Sequence, residues 1–195
     1  MKWFSGIEEE ADITTLLFRD PATYRHLNHF ADAILRGPSE FTIGERELMA
    51  AYVSALNSCH YCTGAHAAVA QQFGIAPLLL QALTDDASTA PIDEALKPVF
   101  AFIKTLTNSP SRIGATEAQA VYAAGWSEEA LHDAINVCAL MSCYNRLLDG
   151  HGIRGSQIAF DNGARRLFKR GYKIPSPVVW LLSLRNSFRR ARRGK

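Results

Sequence analysis

The sequence has 195 residues, of which 48% are hydrophobic and 21% are charged. This composition is ordinary for a globular chain, and the length allows one domain with a substantial core. No run of about 18 apolar residues occurs, so we expect no transmembrane helix. The N-terminus lacks a signal-peptide apolar region and turns acidic, so we expect a cytoplasmic protein.

The basic residues are concentrated at the C-terminus. The net charge is +2, but residues 185–195 contain six basic side chains and no acidic one, which leaves 15 basic against 19 acidic side chains in the rest. This distribution argues against a nucleic-acid-binding domain. We divide the chain into one helical domain at 1–176 and a basic amphipathic helix at 177–195. That helix could contact an anionic membrane or nucleic acid, but we favour an arm that docks on its own oligomer.

Apolar periodicity and capping signals predict helices along the whole chain. The predicted helices lie at about 21–35, 43–57, 59–73, 77–84, 93–107, 116–125 and 127–148, with a short one at about 161–168 and a terminal one from Ser176. Asp20-Pro21 is typical of a helix start, Thr42 with Glu45 of a capping box, and Gly74 of a helix stop. No strand alternation persists and no phosphate-binding glycine loop occurs, so the fold class is all-α.

The clearest chemical signal is the pattern Glu47-x11-Cys59-x2-Cys62-x3-His66. In a helix that covers residues 59–73, Cys62 lies about 60° and His66 about 20° around the axis from Cys59, so the three share one stripe. A thiol at a helix start is acidified by the helix dipole. His66 can accept a proton from Cys62, and a carboxylate such as Glu47 can orient the imidazole. The pattern therefore predicts a redox-active thiol pair.

This pattern resembles the signature of the alkylhydroperoxidase D-like branch of the carboxymuconolactone decarboxylase superfamily, in its peroxidase-related subgroup. The detailed match covers about residues 40–75, and a looser one, which includes Asn145-Arg146, extends to about residue 150. The resemblance implies an oligomeric all-helical bundle that reduces hydroperoxides with an external dithiol, without cofactor or metal. It also implies Cys62 as the peroxidatic thiol, Cys59 as the resolving thiol, and His66 with Glu47 as the proton relay.

The sequence departs from the family pattern beside the second cysteine. Well-known members have a histidine immediately before it, where this chain has Tyr61, and His60 lies one position earlier. Both are candidate accessory residues. A phenol is a poor base near neutral pH, so we expect the relay to depend more heavily on His66.

Four other interpretations of the motif stay open at this stage. The pair could serve a thiol–disulfide oxidoreductase or a redox sensor without peroxidase turnover. It could bind zinc with His66 and Glu47, although three ligands on one helical stripe would be unusual. It could be two buried cysteines without chemistry. Muconolactone decarboxylation is the fourth, but that branch of the superfamily generally lacks the pair.

The remaining cysteines and polar residues of the predicted 127–148 helix carry weaker signals. Cys138 and Cys143 project about 140° apart, so they cannot share a site on one face, and we expect both to pack in the core. Asn145 and Arg146 could line a pocket, pair with carboxylates, or belong to a surface or interface.

Overall fold

The computed structural model describes residues 4, 7 and 11–193, and within the last helix it describes side chains as far as Leu184. No strand occurs in this part of the chain. A 3₁₀ turn covers Pro110–Arg112, and the α-helices are α1 (Thr14–Arg19), α2 (Pro21–Arg36), α3 (Ile43–Leu56), α4 (His60–Gln72), α5 (Leu79–Asp86), α6 (Leu96–Asn108), α7 (Ala115–Ala123), α8 (Glu128–Gly150), α9 (Gln157–Arg170) and α10 (Ser176–Arg193). The predicted all-α class is confirmed. The arginine side chains of the predicted basic arm lie outside the described residues.

The local capping signals specify helix starts as the sequence predicts. The Asp20 carboxylate accepts a hydrogen bond from the Thr23 backbone N–H, and Pro21 occupies the first helical position of α2. Thr42 and Glu45 form the reciprocal capping box of α3. Each of these bonds satisfies an N–H group that a helix start otherwise leaves unpaired.

Two segments are more helical than the sequence predicts. The apolar residues after Ile13 form the short helix α1, whose N-cap residue makes no side-chain capping hydrogen bond. In place of the short helix expected at 161–168, α9 extends over 14 residues. Ser156 caps α9 by accepting from the Ala159 N–H, and α9 packs along α4. This tertiary contact stabilises the helix beyond the part that the sequence predicts.

The helix α3 lies at the centre of the fold and packs against α4, α8 and α6. Its middle is buried on all sides, including the apolar run from Leu48 to Val53. Arg46 and Glu47 are buried on the same helix. Buried ionic groups need partners. Arg46 Nη1 donates to the Ile34 and Gly37 carbonyls, and Glu47 forms ion pairs with side chains of neighbouring helices.

The cysteines of α8 lie in different environments. Cys138 is buried and its sulfur lies 3.3 Å from the Thr107 hydroxyl oxygen. Cys143 is exposed, so the prediction that both cysteines pack in the core is wrong for Cys143. Their angular separation on the helix places one toward the interior and the other toward the surface.

Close packing of α4 on α9 depends on Gly64. A methyl group at Gly64 would overlap the ring of Phe160, whereas one at Gly163 of α9 would meet no atom within 4 Å. We expect Gly64→Ala to lower the unfolding free energy by about 1–3 kcal/mol through overpacking. Gly163→Ala, the matched control, should leave it unchanged or raise it by up to about 1 kcal/mol. Urea unfolding of both variants measures the difference, and equal midpoints would contradict this account of the interface.

No helix in the described ranges is both long enough and apolar enough to span a bilayer.

Candidate active site

The two motif cysteines lie at the junction of α3 and α4. Ser58 adopts a left-handed conformation with φ 59°, which reverses the chain between the two helices. The Cys59 N–H then bonds to the Ser54 carbonyl at 2.9 Å. Cys59 is the N-cap of α4, with an extended backbone, and Cys62 is the third helical residue. Cys59 therefore does not share the helical stripe that the sequence predicts for it, although both thiols lie at the helix start.

Both thiols are free, buried and close to each other. Their exposures are 0% for Cys59 and 3% for Cys62. Hydrogen bonding to Cys62 lowers the pKa of Cys59 below its usual value, despite burial. The hydrogen bond to Cys59, together with burial, raises the pKa of Cys62. Of the two thiols, Cys59 is therefore the more acidic, whereas the resemblance implies Cys62 as the thiol that is oxidised first.

Glu47 and His66 meet across the α3–α4 interface, as the motif predicts. The distance from Glu47 Oε2 to His66 Nδ1 is 2.7 Å, and Glu47 is 0% exposed. Because a carboxylate only accepts, Nδ1 carries a hydrogen, and Nε2 is then the nitrogen that can accept a proton in the neutral imidazole. Folding thus fixes one tautomer of His66.

Two residues that the sequence did not single out hold the other oxygen of Glu47. Arg36 Nη1 lies 2.6 Å from Glu47 Oε1, and the Tyr172 hydroxyl donates to the same oxygen at 2.8 Å. Burial alone would raise the pKa of Glu47, but His66, Arg36 and Tyr172 together lower it. Burial and the Glu47 charge raise the pKa of Tyr172, so its hydroxyl stays protonated as a donor. With Arg36 and Tyr172 on Oε1, Oε2 faces His66.

Tyr172 reaches the relay from the linker between α9 and α10. Its backbone N–H donates to Asp32 Oδ1 at 2.8 Å, and Lys173 Nζ lies 3.2 Å from Asp32 Oδ2. Gly171 adopts φ 65°, and a Cβ there would press against Asp32. No local motif marks this linker, because its partner lies 140 residues earlier in the chain.

Asn145 of α8 is buried beside the thiol pair. Its amide nitrogen donates to Ser54 Oγ at 3.0 Å, and its oxygen accepts from Asn57 Nδ2 at 2.9 Å. A hydrogen bond from Asn145 opposes the upward shift in the pKa of Cys62. Its neighbour Arg146 is exposed and donates to the Ser142 carbonyl of its own helix. Of the alternatives left open for Asn145, burial rules out the surface, and Asn145 does not line the cavity that Cys62 borders.

The two candidate accessory residues make contacts away from the relay. The Tyr61 hydroxyl accepts a hydrogen bond from the Ile13 N–H at 3.2 Å, and burial raises the pKa of Tyr61 to about 12. His60 is exposed, with Nδ1 3.0 Å from the Arg154 carbonyl. Among the described hydrogen bonds, none joins either side chain to Glu47 or His66. Tyr61 therefore does not replace the family histidine as a base.

A largely apolar cavity of about 80 Å³ borders the thiol and the relay. Cys62, His66 and Tyr172 all line it, whereas Cys59 does not. A small molecule in this space would therefore contact Cys62 and His66 together. In the described part of the chain, no group of three or more His, Cys, Asp or Glu side chains is arranged to hold a metal ion.

The chain is similar to a known protein family across the motif and to two solved structures over most of its length. The model of the carboxymuconolactone decarboxylase family matches residues 21–102, which include all four motif residues. An alkylhydroperoxidase AhpD core from Ralstonia eutropha JMP134, an uncharacterized peroxidase-related protein, is 23% identical with a TM-score of 0.71, over 78% of this chain and 80% of that chain. An uncharacterized peroxidase-related protein from Silicibacter sp. TM1040 is 21% identical with a TM-score of 0.65, over 76% and 74%.

No curated protein matches the chain. The two solved structures share its fold, in agreement with the predicted alkylhydroperoxidase D-like bundle. Over residues 21–102, the chain is similar to the carboxymuconolactone decarboxylase family.

Proposed function

We propose that this protein is a cysteine-based peroxidase that reduces hydroperoxides with the Cys59–Cys62 pair. The observation that carries the proposal is the 2.7 Å contact between Glu47 and His66, beside a cavity that both His66 and Cys62 line. A carboxylate-oriented imidazole beside a thiol is the arrangement that activates a cysteine nucleophile. The likeness to peroxidase-related proteins supports the same reaction class.

The reaction proceeds in three steps: oxidation of Cys62, formation of the disulfide, and its reduction. The Cys62 thiolate attacks the outer peroxide oxygen, the O–O bond breaks, and the leaving alkoxide takes a proton to become the alcohol. The Cys59 thiol then attacks the Cys62 sulfenic acid, which forms the disulfide and releases water. An external dithiol reduces the disulfide by exchange and is itself oxidised.

In this scheme His66 accepts the thiol proton at Nε2 and returns it to the alkoxide. From the family resemblance, we also propose that the protein is a homo-oligomer and that an external dithiol donates the electrons. The pair is deeply buried, so the reductant must be a small dithiol, or α4 must move to admit a larger one.

The decisive experiment treats the reduced protein with one equivalent of hydroperoxide and follows its intact mass. We expect the loss of two hydrogen atoms, and peptide mapping should locate one disulfide between Cys59 and Cys62. The exposed Cys143 is an internal control for non-specific oxidation. A mass that stays unchanged, or oxidation confined to Cys143, would exclude the proposed reaction.

A thiol–disulfide oxidoreductase or redox sensor is the second candidate. The observation that favours it is Tyr61, whose hydroxyl bonds to Ile13 instead of assisting the relay. The rate of pair oxidation by peroxide, compared with its rate of exchange with a small disulfide, separates the two functions. Faster exchange than peroxide oxidation would favour the second.

A further inference from the structure

The last helix, α10, packs on its own chain with one face and exposes the opposite one. It lies against α2 and α1, and its Val179 is buried. Trp180, Leu181 and Leu184 are 65%, 63% and 38% exposed, and they lie within about 100° of one another around the helix axis. Leu184 projects about 140° from Val179. The three exposed residues therefore form an apolar outward stripe on the side of α10 away from Val179.

The outward stripe is followed by a strongly basic sequence. The helix continues to Arg193, and residues 185–195 contain six basic side chains and no acidic one. Phe188 continues the four-residue spacing of Trp180 and Leu184 in the sequence. The rest of the chain has 15 basic and 19 acidic side chains, so the positive charge of the protein is concentrated in this segment.

A groove of about 510 Å³ separates α10 from α2, and its lining adds cationic and hydroxyl groups beside the outward stripe. Arg25, His26 and His29 of α2 line it, as do Ser176, Ser183 and Trp180 of α10. No Asp or Glu is among the described residues that line it. Guanidinium, imidazole and hydroxyl groups are donors to phosphate oxygens. Because Trp180 belongs to both features, the groove and the outward stripe form one continuous surface.

An anionic lipid surface matches both parts of this surface. Helices that lie in a membrane interface place Trp and Leu at the boundary of the acyl chains and basic side chains at the headgroups. Pairing with α10 of a second copy would cover the stripe, but it would bring two basic segments together, because residues 176–195 contain no acidic side chain. Nucleic acid would neutralise the basic residues but would leave Leu181 and Leu184 in water.

We propose that α10 and the adjoining groove attach the protein to an anionic lipid surface. The outward stripe enters the boundary between headgroups and acyl chains, while Arg25 and the basic C-terminal residues contact lipid phosphates. The outward stripe is the reason to prefer lipid over the arm docking on its own oligomer that the sequence favours. This attachment does not depend on the proposed peroxidase function.

The first test sediments the full chain with vesicles of phosphatidylcholine, either alone or with roughly one-third phosphatidylglycerol. We expect the vesicle partition coefficient to be at least about tenfold higher with the anionic lipid and to fall as salt is added. Absence of binding to the anionic vesicles would overturn the inference. Equal binding to both kinds of vesicle would also overturn it, because the basic residues would then have no part in the contact.

A matched pair of variants locates the apolar contact. Leu181→Asp changes the outward stripe, and Leu78→Asp makes the same change at a 79% exposed leucine that does not line the groove. Both variants add one negative charge at an exposed position, so the fold should tolerate both. We expect Leu181→Asp to weaken binding to the anionic vesicles at least about tenfold, and Leu78→Asp less than about threefold. Equal losses would show that the stripe does not enter the lipid.

A second pair tests the groove. Arg25→Gln removes its guanidinium, whereas Lys104→Gln removes an exposed cation of α6, which does not line the groove. We expect Arg25→Gln to weaken binding to the anionic vesicles about fivefold, and Lys104→Gln less than about twofold. The same small loss in both variants would exclude the groove from the lipid contact.

Light scattering without lipid tests a second copy as the competing occupant. If the outward stripe is free for lipid, wild type and Leu181→Asp should have the same mass in solution. A wild-type assembly that Leu181→Asp dissociates would show that another copy covers the stripe, and the inference would then be wrong.

Discussion

Replacing Glu47 by glutamine is expected to lower the free energy of unfolding by about 3–5 kcal/mol, because it leaves a buried cation without its anion. Arg36 is only 12% exposed at its side chain, and its Nη1 lies 2.6 Å from Glu47. Its Nε and Nη2 have no hydrogen-bond partner among the described residues. The amide of glutamine cannot neutralise this charge, and its NH₂ group would face other donors.

The same substitution should also slow thiol oxidation. Glutamine can still accept a hydrogen bond from His66 Nδ1, but it provides no negative charge to stabilise the imidazolium that forms when His66 takes the thiol proton. We therefore expect the rate at which peroxide oxidises the thiol pair to fall about 100-fold or more. Single-turnover rates measured on folded protein keep this effect apart from the loss of stability.

Glu45→Gln is the matched control for the stability effect. Glu45 lies on the same helix and serves the capping box at the surface, where glutamine can make the same bond to Thr42. Its cost should stay below about 1 kcal/mol in urea unfolding. If Glu47→Gln costs no more than Glu45→Gln, Arg36 is stabilised by something other than Glu47.

The pH dependence of stability gives the sign of the Glu47 contribution. Its pKa in the folded protein lies below the ordinary value, so the unfolded chain binds the proton more tightly. The contribution is fully present above the unfolded pKa of about 4.3 and is lost as the pH falls through the lower folded pKa. The stability difference between wild type and Glu47→Gln should therefore narrow in acid and stay constant near neutral pH.

The parts of the fold that follow from the sequence are those set by local chemistry. The capping box of Thr42 and Glu45 and the Asp20-Pro21 start act within one helical turn, so nearby residues reveal them. The contact between Glu47 and His66 can also be predicted from the sequence, because consecutive helices joined by a short turn pack side by side. That packing brings the two side chains to 2.7 Å.

The parts that sequence reasoning missed depend on contacts between distant segments. Arg36 lies in the last turn of α2 and Tyr172 follows α9, and nothing near either residue indicates that both bind Glu47 Oε1. The conformation of Cys59 was missed because Ser58 takes a positive φ that is uncommon outside glycine. Each of these features is visible only after the helices have packed.

Serine variants of the thiol pair should have the largest effect on activity. We expect Cys62→Ser to reduce peroxide turnover by at least about a thousandfold, because the attacking sulfur is gone. Cys59→Ser should still consume one equivalent of peroxide and accumulate a sulfenic acid on Cys62, since no thiol remains to form the disulfide. Cys143→Ser, at an exposed position away from the pair, should keep the wild-type rate.

The pKa directions alone would assign these roles in reverse, because they make Cys59 the more acidic thiol. Access decides for Cys62, because Cys62 lines the cavity of about 80 Å³, whereas Cys59 does not line it and is 0% exposed. In the proposed scheme His66 accepts the Cys62 proton at Nε2, so the accessible sulfur becomes the thiolate that attacks the peroxide. Mass spectrometry with a sulfenic-acid trap tests this directly. A trapped sulfenic acid on Cys59 in the Cys62→Ser variant, with an inert Cys59→Ser variant, would show that acidity and not access selects the attacking thiol.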